Sequence, residues 1–206
     1  METSVTLYGA SGHSKVIIDI LNCSSVGIDN IIDDNPKTDT ILGLPILRST
    51  DADFSAIKSM IISIGNNKVR QRISDKIKVN YVNAIHPTAI LSPTVSLGKG
   101  TVIMAGAIIN PDAVIGDHCI VNTGAVIEHD CHIADFVHVS PSVSLAGNVA
   151  IGEGSHIGIG AKVIQGIKIG KWATIGAGAV IIKDIPDYAV VVGNPGKIIK
   201  YNQENE

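Results

Sequence analysis

Glu128-His129-Asp130 places one imidazole between two carboxylates. Unperturbed histidine titrates near neutrality, so such a side chain suits proton abstraction, and an adjacent acid can orient the ring and stabilise its protonated form. Eighteen residues later stands Gly147, whose N–H can be approached closely by a neighbouring group. A base beside a backbone donor is what acyl transfer from a thioester requires: removal of the acceptor's proton and stabilisation of the developing oxyanion. Either Asp130 or Glu128 can serve as the orienting acid. Taken alone, an outward histidine is more often merely solvated.

The eighteen-residue step has meaning because of the repeat around it. From Ile85 to Ile181, every sixth residue is aliphatic, seventeen positions in all. A period of six fits neither an α-helix nor a half-buried strand and indicates a hexapeptide solenoid. Four residues after each aliphatic comes a small or β-branched side chain, such as Ala89, Thr101, Ala107, Ala125 and Val137. Gly98, Gly116, Gly152, Gly158, Gly170 and Gly176 directly follow aliphatics, and Asp112, Asp117, Gly124, Gly154, Gly160 and Gly178 supply turn residues. Three hexads close one triangular coil of eighteen residues, so five to six coils stack about 4.8 Å apart. His129 then sits at a prism corner, with Gly147 above it and Pro111 below. Cys119 and Cys131 share a hexad position and are expected to be small inward residues rather than a disulfide or a metal site.

Residues 1–84 read as a separate α/β unit. Val5–Tyr8 is a strand, Gly9-Ala-Ser-Gly12-His13-Ser14 a turn, and Val16, Ile17, Ile20 and Leu21 follow helical spacing from Ser14. Further strands are expected at Ile28–Ile32, ending in Asp33-Asp34, at Ser59–Ile64, ending in Gly65-Asn66, and at Tyr81–Ala84. A polar helix spans 68–77. Strand, glycine turn, helix and strand form a βαβ unit, and its glycine turn is where such sheets bind phosphate. Asp33 lies where a ribose-binding acid sits in dinucleotide folds. The spacing is not G-x-G-x-x-G, so a mononucleotide site and a ligand-free turn both remain open.

The 206 residues carry a net charge of −3, so composition offers no electrostatic case for nucleic acid or an acidic membrane. The absence of a signal peptide and of a long apolar run makes the cytoplasm the default expectation, with no membrane insertion. Residues 183–206 are expected to cap the prism: Ala189–Val192 as a strand, Gly193–Gly196 as a turn, Lys197–Tyr201 as a capping element and Asn202–Glu206 as a frayed tail.

Taken together, Gly9–Ser14, Asp33-Asp34, Ile85-His86-Pro87, Glu128-His129-Asp130 and Val192-Gly193-Asn194-Pro195 resemble one family across residues 3–200. It is the sugar acetyltransferases with an N-terminal nucleotide-sugar domain and a left-handed β-helix. The group includes the bacillosamine-pathway UDP-4-amino-sugar N-acetyltransferases and the sialic-acid O-acetyltransferase-like proteins. The resemblance implies a mixed fold: a small Rossmann-like domain over 1–84, a left-handed parallel β-helix over 85–182 and a cap over 183–206. It implies acetyl transfer from acetyl-coenzyme A to the amino group of a UDP-linked sugar, in a homotrimer, with no metal. His129 is then the base and Asp130 its orienting acid; relatives often carry Glu at the latter position. Gly9, Gly12 and His13 would hold the diphosphate, Asp33 and Asp34 the uridine, and Gly65 and Asn66 would complete the substrate site. Acetyl-coenzyme A would lie near His138, Gly147, Ile159 and Gly176. Three other readings stand beside this one: O-acetylation, a non-catalytic sugar-nucleotide-binding partner, and a zinc hydratase drawing on His129, His132 and His138.

Overall fold

The computed structural model describes residues 4–202. Seventeen two-residue rungs, from Ala84–Ile85 to Val180–Ile181, follow one another every six residues. They stack in parallel at eighteen-residue register into three faces, as in Val114↔His132 and Ile120↔His138. The first face holds Val102, Ile120, His138, His156 and Thr174, the second Ile108, Val126, Ser144 and Lys162, and the third Val114, His132, Ala150 and Lys168. In each rung the second residue points inward. Ile103, Ile109, Ile115, Val121, Ile127 and Ile133 are all buried, joined by the small row Ala107, Ala113, Cys119, Ala125 and Cys131. Both cysteines are free and inward, as expected. Among the described residues no rung pairs beneath the first coil, so Ile85 stays 38% exposed and Leu91 and Leu97 are only partly covered.

The corners explain the turn residues. Every sixth residue from Gly100 to Gly178 has a positive φ between 53° and 72°. Half of these positions are glycine; Asp112, His118, Asp130, Phe136, Ser142, Asn148 and Trp172 take the same left-handed angle. Stacking and hydrogen bonds to adjacent coils therefore override the usual cost of a side chain there. Asp117, expected among the corner residues, takes the corner position just before the left-handed residue, as His129 does; its carboxylate accepts from Lys99 N–H at 2.9 Å, tying two coils together.

The N-terminal unit is a sheet in the order β3-β4-β2-β1-β5. Its strands are β1 (Ser4–Tyr8), β2 (Gly27–Asp33), β3 (Thr40–Ile41), β4 (Leu44–Arg48) and β5 (Met60–Ile62). β4, β2, β1 and β5 run parallel, and β3 pairs antiparallel with β4. The hairpin of β3 and β4 is absent from the sequence reading, because Pro45 and a two-residue strand leave no alternating pattern. Tyr81 makes only an isolated bridge to Met60, and Ala84 already belongs to the first rung. α1 (Gly12–Cys23) begins two residues before the expected start, and α2 spans Asn67–Lys76. The cap is a hairpin: Ala189–Val192 extends the first face in parallel, and Lys197–Tyr201 returns antiparallel beside it. Residues 203–206 of the expected frayed tail lie outside the described residues.

The two units share a core. Ile17, Ile18, Ile20 and Leu21 of α1 pack on Ala84, Val102, Met104 and Ile120 of the first face. Arg70 of α2 is 1% exposed and donates to His118 O (2.7 Å), Phe136 O (2.8 Å), Ile64 O (3.0 Å) and Asn67 Oδ1 (2.9 Å). Burial lowers its pKa to about 10, so it remains a cation held by carbonyl dipoles. Arg70→Ala strands several buried carbonyls at once, each costing about 1–3 kcal/mol when unsatisfied. A loss of about 3 kcal/mol is expected from denaturant unfolding; a midpoint equal to wild type would show that Arg70 does not join the units.

Candidate functional site

The prism puts His129 at the corner between the second and third faces, directly below Gly147. Asn148 N–H donates to His129 O at 2.9 Å, and Asp130 N–H to Pro111 O at 3.1 Å, confirming the stack Pro111–His129–Gly147. A Cβ built on Gly147 would lie 2.6 Å from His129 Cε1 and 2.7 Å from Nε2, so only glycine leaves room for the imidazole. His129 Nδ1 meets Asp130 Oδ2 at 2.7 Å, and both side chains are well exposed. The shorter acid reaches the ring, because the left-handed corner at Asp130 (φ 58°) turns it back toward its neighbour. The hydrogen bond to Asp130 raises the His129 pKa above 6.5, with a smaller electrostatic push from Glu128. With Nδ1–H donated to Asp130, Nε2 is left as the proton acceptor.

A second constellation forms where the N-terminal unit meets the first face. Gly9 turns the chain after β1 with φ 115°, and a Cβ there would collide with Ile64 at 2.5 Å. Ser63 Oγ donates to Gly9 O at 2.6 Å, so the turns after β1 and β5 are bonded to each other. Gly9, Gly12, Gly65 and Asn66 thus gather at the carboxyl ends of neighbouring parallel strands, where the strand order reverses. Gly12 opens α1 and has free space where a side chain would be. Asp33 Oδ2 accepts from Ala10 N–H at 2.8 Å, bracing the glycine turn, while Asp34 accepts from the hydroxyls of Tyr8 and Ser49 at 2.6 Å each. Asn66 spends its amide oxygen on Val69 N–H as the cap of α2. Those three side chains therefore already have internal partners.

His13 turns inward, toward the prism. Its ring centroid is 6.4 Å from that of His138, which stacks on His156 at 4.8 Å. Burial and the Arg70 charge lower the His13 pKa to about 4, and burial with neighbouring His156 lowers His138 to about 3. His156 is lowered as well, although its outer edge reaches solvent. These imidazoles are neutral at physiological pH. Asn67 reaches across to Gly154 O at 3.0 Å, and beside it a cleft of about 310 Å³ is lined by Gly65, Lys68, His156, Trp172, Thr174 and Tyr188.

The sequence-derived residues therefore fall into separate places on one chain. Ile159 and Gly176 flank the other edge of the second face, between it and the first. The glycine at 176 is required by packing, since a Cβ would meet Val192 at 2.8 Å. His129, His132 and His138 stand at a corner and on two different faces, so one chain does not gather them around a metal. Arg70, Asn67 and His156 escaped the site prediction. His156 was within reach, being eighteen residues from His138; nothing in the local sequence marks Arg70 or Asn67.

A parallel hexapeptide prism bearing a histidine–carboxylate corner, fused to a small Rossmann-like domain, defines a hexapeptide-type acyltransferase fold. Residues 4–77 match the family model described as PglD N-terminal domain, and residues 94–129 and 148–183 match bacterial transferase hexapeptide repeats. A histidine-to-alanine mutant of GDP-perosamine N-acetyltransferase from Caulobacter crescentus, in complex with coenzyme A and GDP-perosamine, superposes with TM-score 0.92. It is 38% identical, over 97% of this chain and 98% of that one. The acetyltransferase domain of PglB from Neisseria gonorrhoeae, in complex with acetyl coenzyme A, is 34% identical over 97% and 100% of the two chains, with TM-score 0.89. The UDP-N-acetylbacillosamine N-acetyltransferase of Bacillus subtilis is 42% identical over 111 residues, 50% of this chain and 51% of that protein, so the match spans about half the curated relative. The chain belongs to this family of left-handed β-helix N-acetyltransferases of nucleotide-linked amino sugars.

Because the folded pKa of His129 is raised, the pair with Asp130 adds stability at acid pH that fades as pH rises through that pKa. The neutral, proton-accepting form is populated above it. An NMR titration of His129 should give a midpoint above 6.5; Asp130→Asn should lower it, and Gly147→Ala, by displacing the ring, should lower it too. Identical midpoints in all three proteins would mean that the pair does not tune the imidazole.

Proposed function

We propose that this protein transfers the acetyl group of acetyl-coenzyme A to the amino group of a UDP-linked amino sugar, with His129 as general base. The observation that carries the reading is the His129 Nδ1–Asp130 bond of 2.7 Å beneath a glycine, which leaves Nε2 free at an open corner. In this reading residues 1–84 hold the nucleotide sugar, residues 85–182 carry out the transfer and residues 183–206 cap the prism. The glycine turn at Gly9 and Gly12, with the N-terminus of α1, receives the diphosphate; Gly65 and Asn66 border the sugar, and Asp33, which braces the turn, and Asp34, held by Tyr8 and Ser49, face the nucleoside. His13, neutral and turned inward, contributes a hydrogen bond rather than a charge.

Chemically, the sugar amine attacks the thioester carbonyl while His129 Nε2 takes its proton. Gly147 N–H makes no backbone hydrogen bond and is the available donor to the oxyanion. Collapse breaks the C–S bond, and the coenzyme A thiolate recovers the proton from the imidazolium. Coenzyme A runs past His138, Gly147, Ile159 and Gly176. One chain holds these groups on different sides of the prism, so the site needs a neighbour. The second face exposes an aliphatic row including Ile90, 63% exposed, with Ile108, Val126 and Val180 half-buried. These support a C3 homotrimer with parallel prism axes.

The test is coenzyme A release with UDP-, GDP- and dTDP-linked 4-amino sugars. His129→Ala should lower kcat by about 10²–10⁴ with little change in acetyl-coenzyme A binding, since the base touches the acceptor. Turnover within about tenfold of wild type in a folded variant would remove His129 as the base. Faster transfer to a GDP-linked sugar would reassign the nucleotide. Light scattering should give three chains per particle, and a monomer at working concentration would end the shared-site reading.

A further inference from the structure

The molecule carries a second cluster of chemically capable side chains, at the other end of α1 from the glycine turn. Asp19 and Cys23 stand four residues apart on one face of α1, and His86 follows the first rung of the prism. The ligand-type atoms of the three all lie within 4.8 Å of one another. Asp19 and Cys23 are exposed and His86 is half-buried. Neither Asp19 nor Cys23 is needed by the transfer chemistry or by the core.

Their backbones are fixed by independent parts of the fold. α1 is anchored by Ile17, Ile18, Ile20 and Leu21. His86 N–H donates to Ile103 O and His86 O accepts from Ala89 N–H, both at 2.9 Å. The imidazole is oriented as well: Thr88 N–H donates to Nδ1 at 3.1 Å and Thr88 Oγ1 lies 2.9 Å from the same atom, so Nε2 is the ring nitrogen with no hydrogen-bond partner among the described residues. A metal at Nε2 displaces the ring proton to Nδ1, which exchanges the Thr88 N–H bond for donation to the Thr88 hydroxyl, the supporting bond that metal-bound histidines usually make.

We propose that Asp19, Cys23 and His86 bind one borderline-soft divalent transition-metal ion, zinc foremost, which ties α1 to the first coil of the prism. Thiolate, imidazole and carboxylate together favour zinc over the hard cations magnesium and calcium, which prefer oxygen ligands alone. Tetrahedral zinc, with bonds of about 2.0–2.3 Å, sets its ligand atoms roughly 3.3–3.8 Å apart. Side-chain rotations of about 1 Å close the observed spacing, as exposed groups on fixed backbones can. Binding releases the Cys23 thiol proton to solvent, three bonds form from protein to metal, and water completes the fourth position. The twelve residues of α1 put about 16 Å between Cys23 and the glycine turn, so the ion takes no part in the transfer. It acts at the first coil, where Ile85 is exposed and no rung pairs beneath among the described residues.

The test uses the tag-free, full-length protein, stripped with chelator and titrated with cobalt(II) as the probe. One cobalt per chain is expected, with a thiolate-to-cobalt charge-transfer band that zinc abolishes by competition. Cys23→Ser should lose the band, and His86→Ala should weaken uptake more than about 100-fold, beyond the effect of removing a supporting partner. Zinc should raise the melting temperature of the wild type and leave that of Cys23→Ser unchanged. No saturable uptake, a wild-type spectrum without a thiolate band, or unaltered affinity in folded His86→Ala would each overturn the proposal.

Discussion

A backbone N–H on one coil donates to a carbonyl seventeen residues ahead on the next: Val126 to Val143, Ile120 to Val137, Val114 to Cys131, all at 2.9 Å. That register is the constraint on which the remaining structure depends. It holds only if each coil has the same length, and each coil has the same length only if three hexads close one turn. Once it holds, any residue finds its counterpart eighteen positions away directly above or below. Gly147 must then be small because His129 is large, and the His138–His156 stack follows from two histidines one coil apart. An inserted residue anywhere in residues 85–181 would shift the inward row to the outer surface beyond that point.

The same register makes the corners uniform. Phe136 and Trp172 adopt a left-handed backbone that bulky residues rarely take. The strain is offset because from His118 to Gly178 each left-handed corner N–H finds a carbonyl on the adjacent coil, as Phe136 does with Asp117 and Trp172 with Glu153. The resulting column of rings is useful. Phe136 stacks on His118 at 5.3 Å, Tyr81 meets that imidazole in a T-shaped contact at 4.5 Å, and Lys68 lies 5.7 Å from the Trp172 ring. The N-terminal unit is thus attached by aromatic and polar contacts above an aliphatic patch, with Arg70 as the central donor.

Two electrostatic environments for histidine result. On the open corner, a carboxylate neighbour and free solvation favour the protonated form of His129 and raise its pKa. At the junction, burial and the Arg70 cation disfavour charge, and His13, His118 and His138 are pushed down to about 4, 4 and 3. Identical side chains therefore differ in protonation because of where the coil and the docked domain put them. An imidazole held in an ion pair at an open corner and a cluster kept neutral beside a glycine turn are the chemical consequences of that difference.

The period of six aliphatics, the inward small row, the pairing of His129 with Gly147 and the strand–glycine turn–helix unit were all legible in the chain, because each is a local pattern or a fixed step along a regular lattice. So was the cap, since a solenoid must end its unpaired edge. What the sequence left undetermined was everything set by the approach of two separate units. The direction of His13, the bracing of Asp33 and Asp34, the bond network of Arg70 and the meeting of Cys23 with His86 depend on how α1 and α2 sit on the first face. No periodicity encodes that placement. It is decided by the shape of the aliphatic patch around Ile17, Ile18, Val102 and Ile120 and by which carbonyls a buried guanidinium can reach, and those exist only after both units have folded.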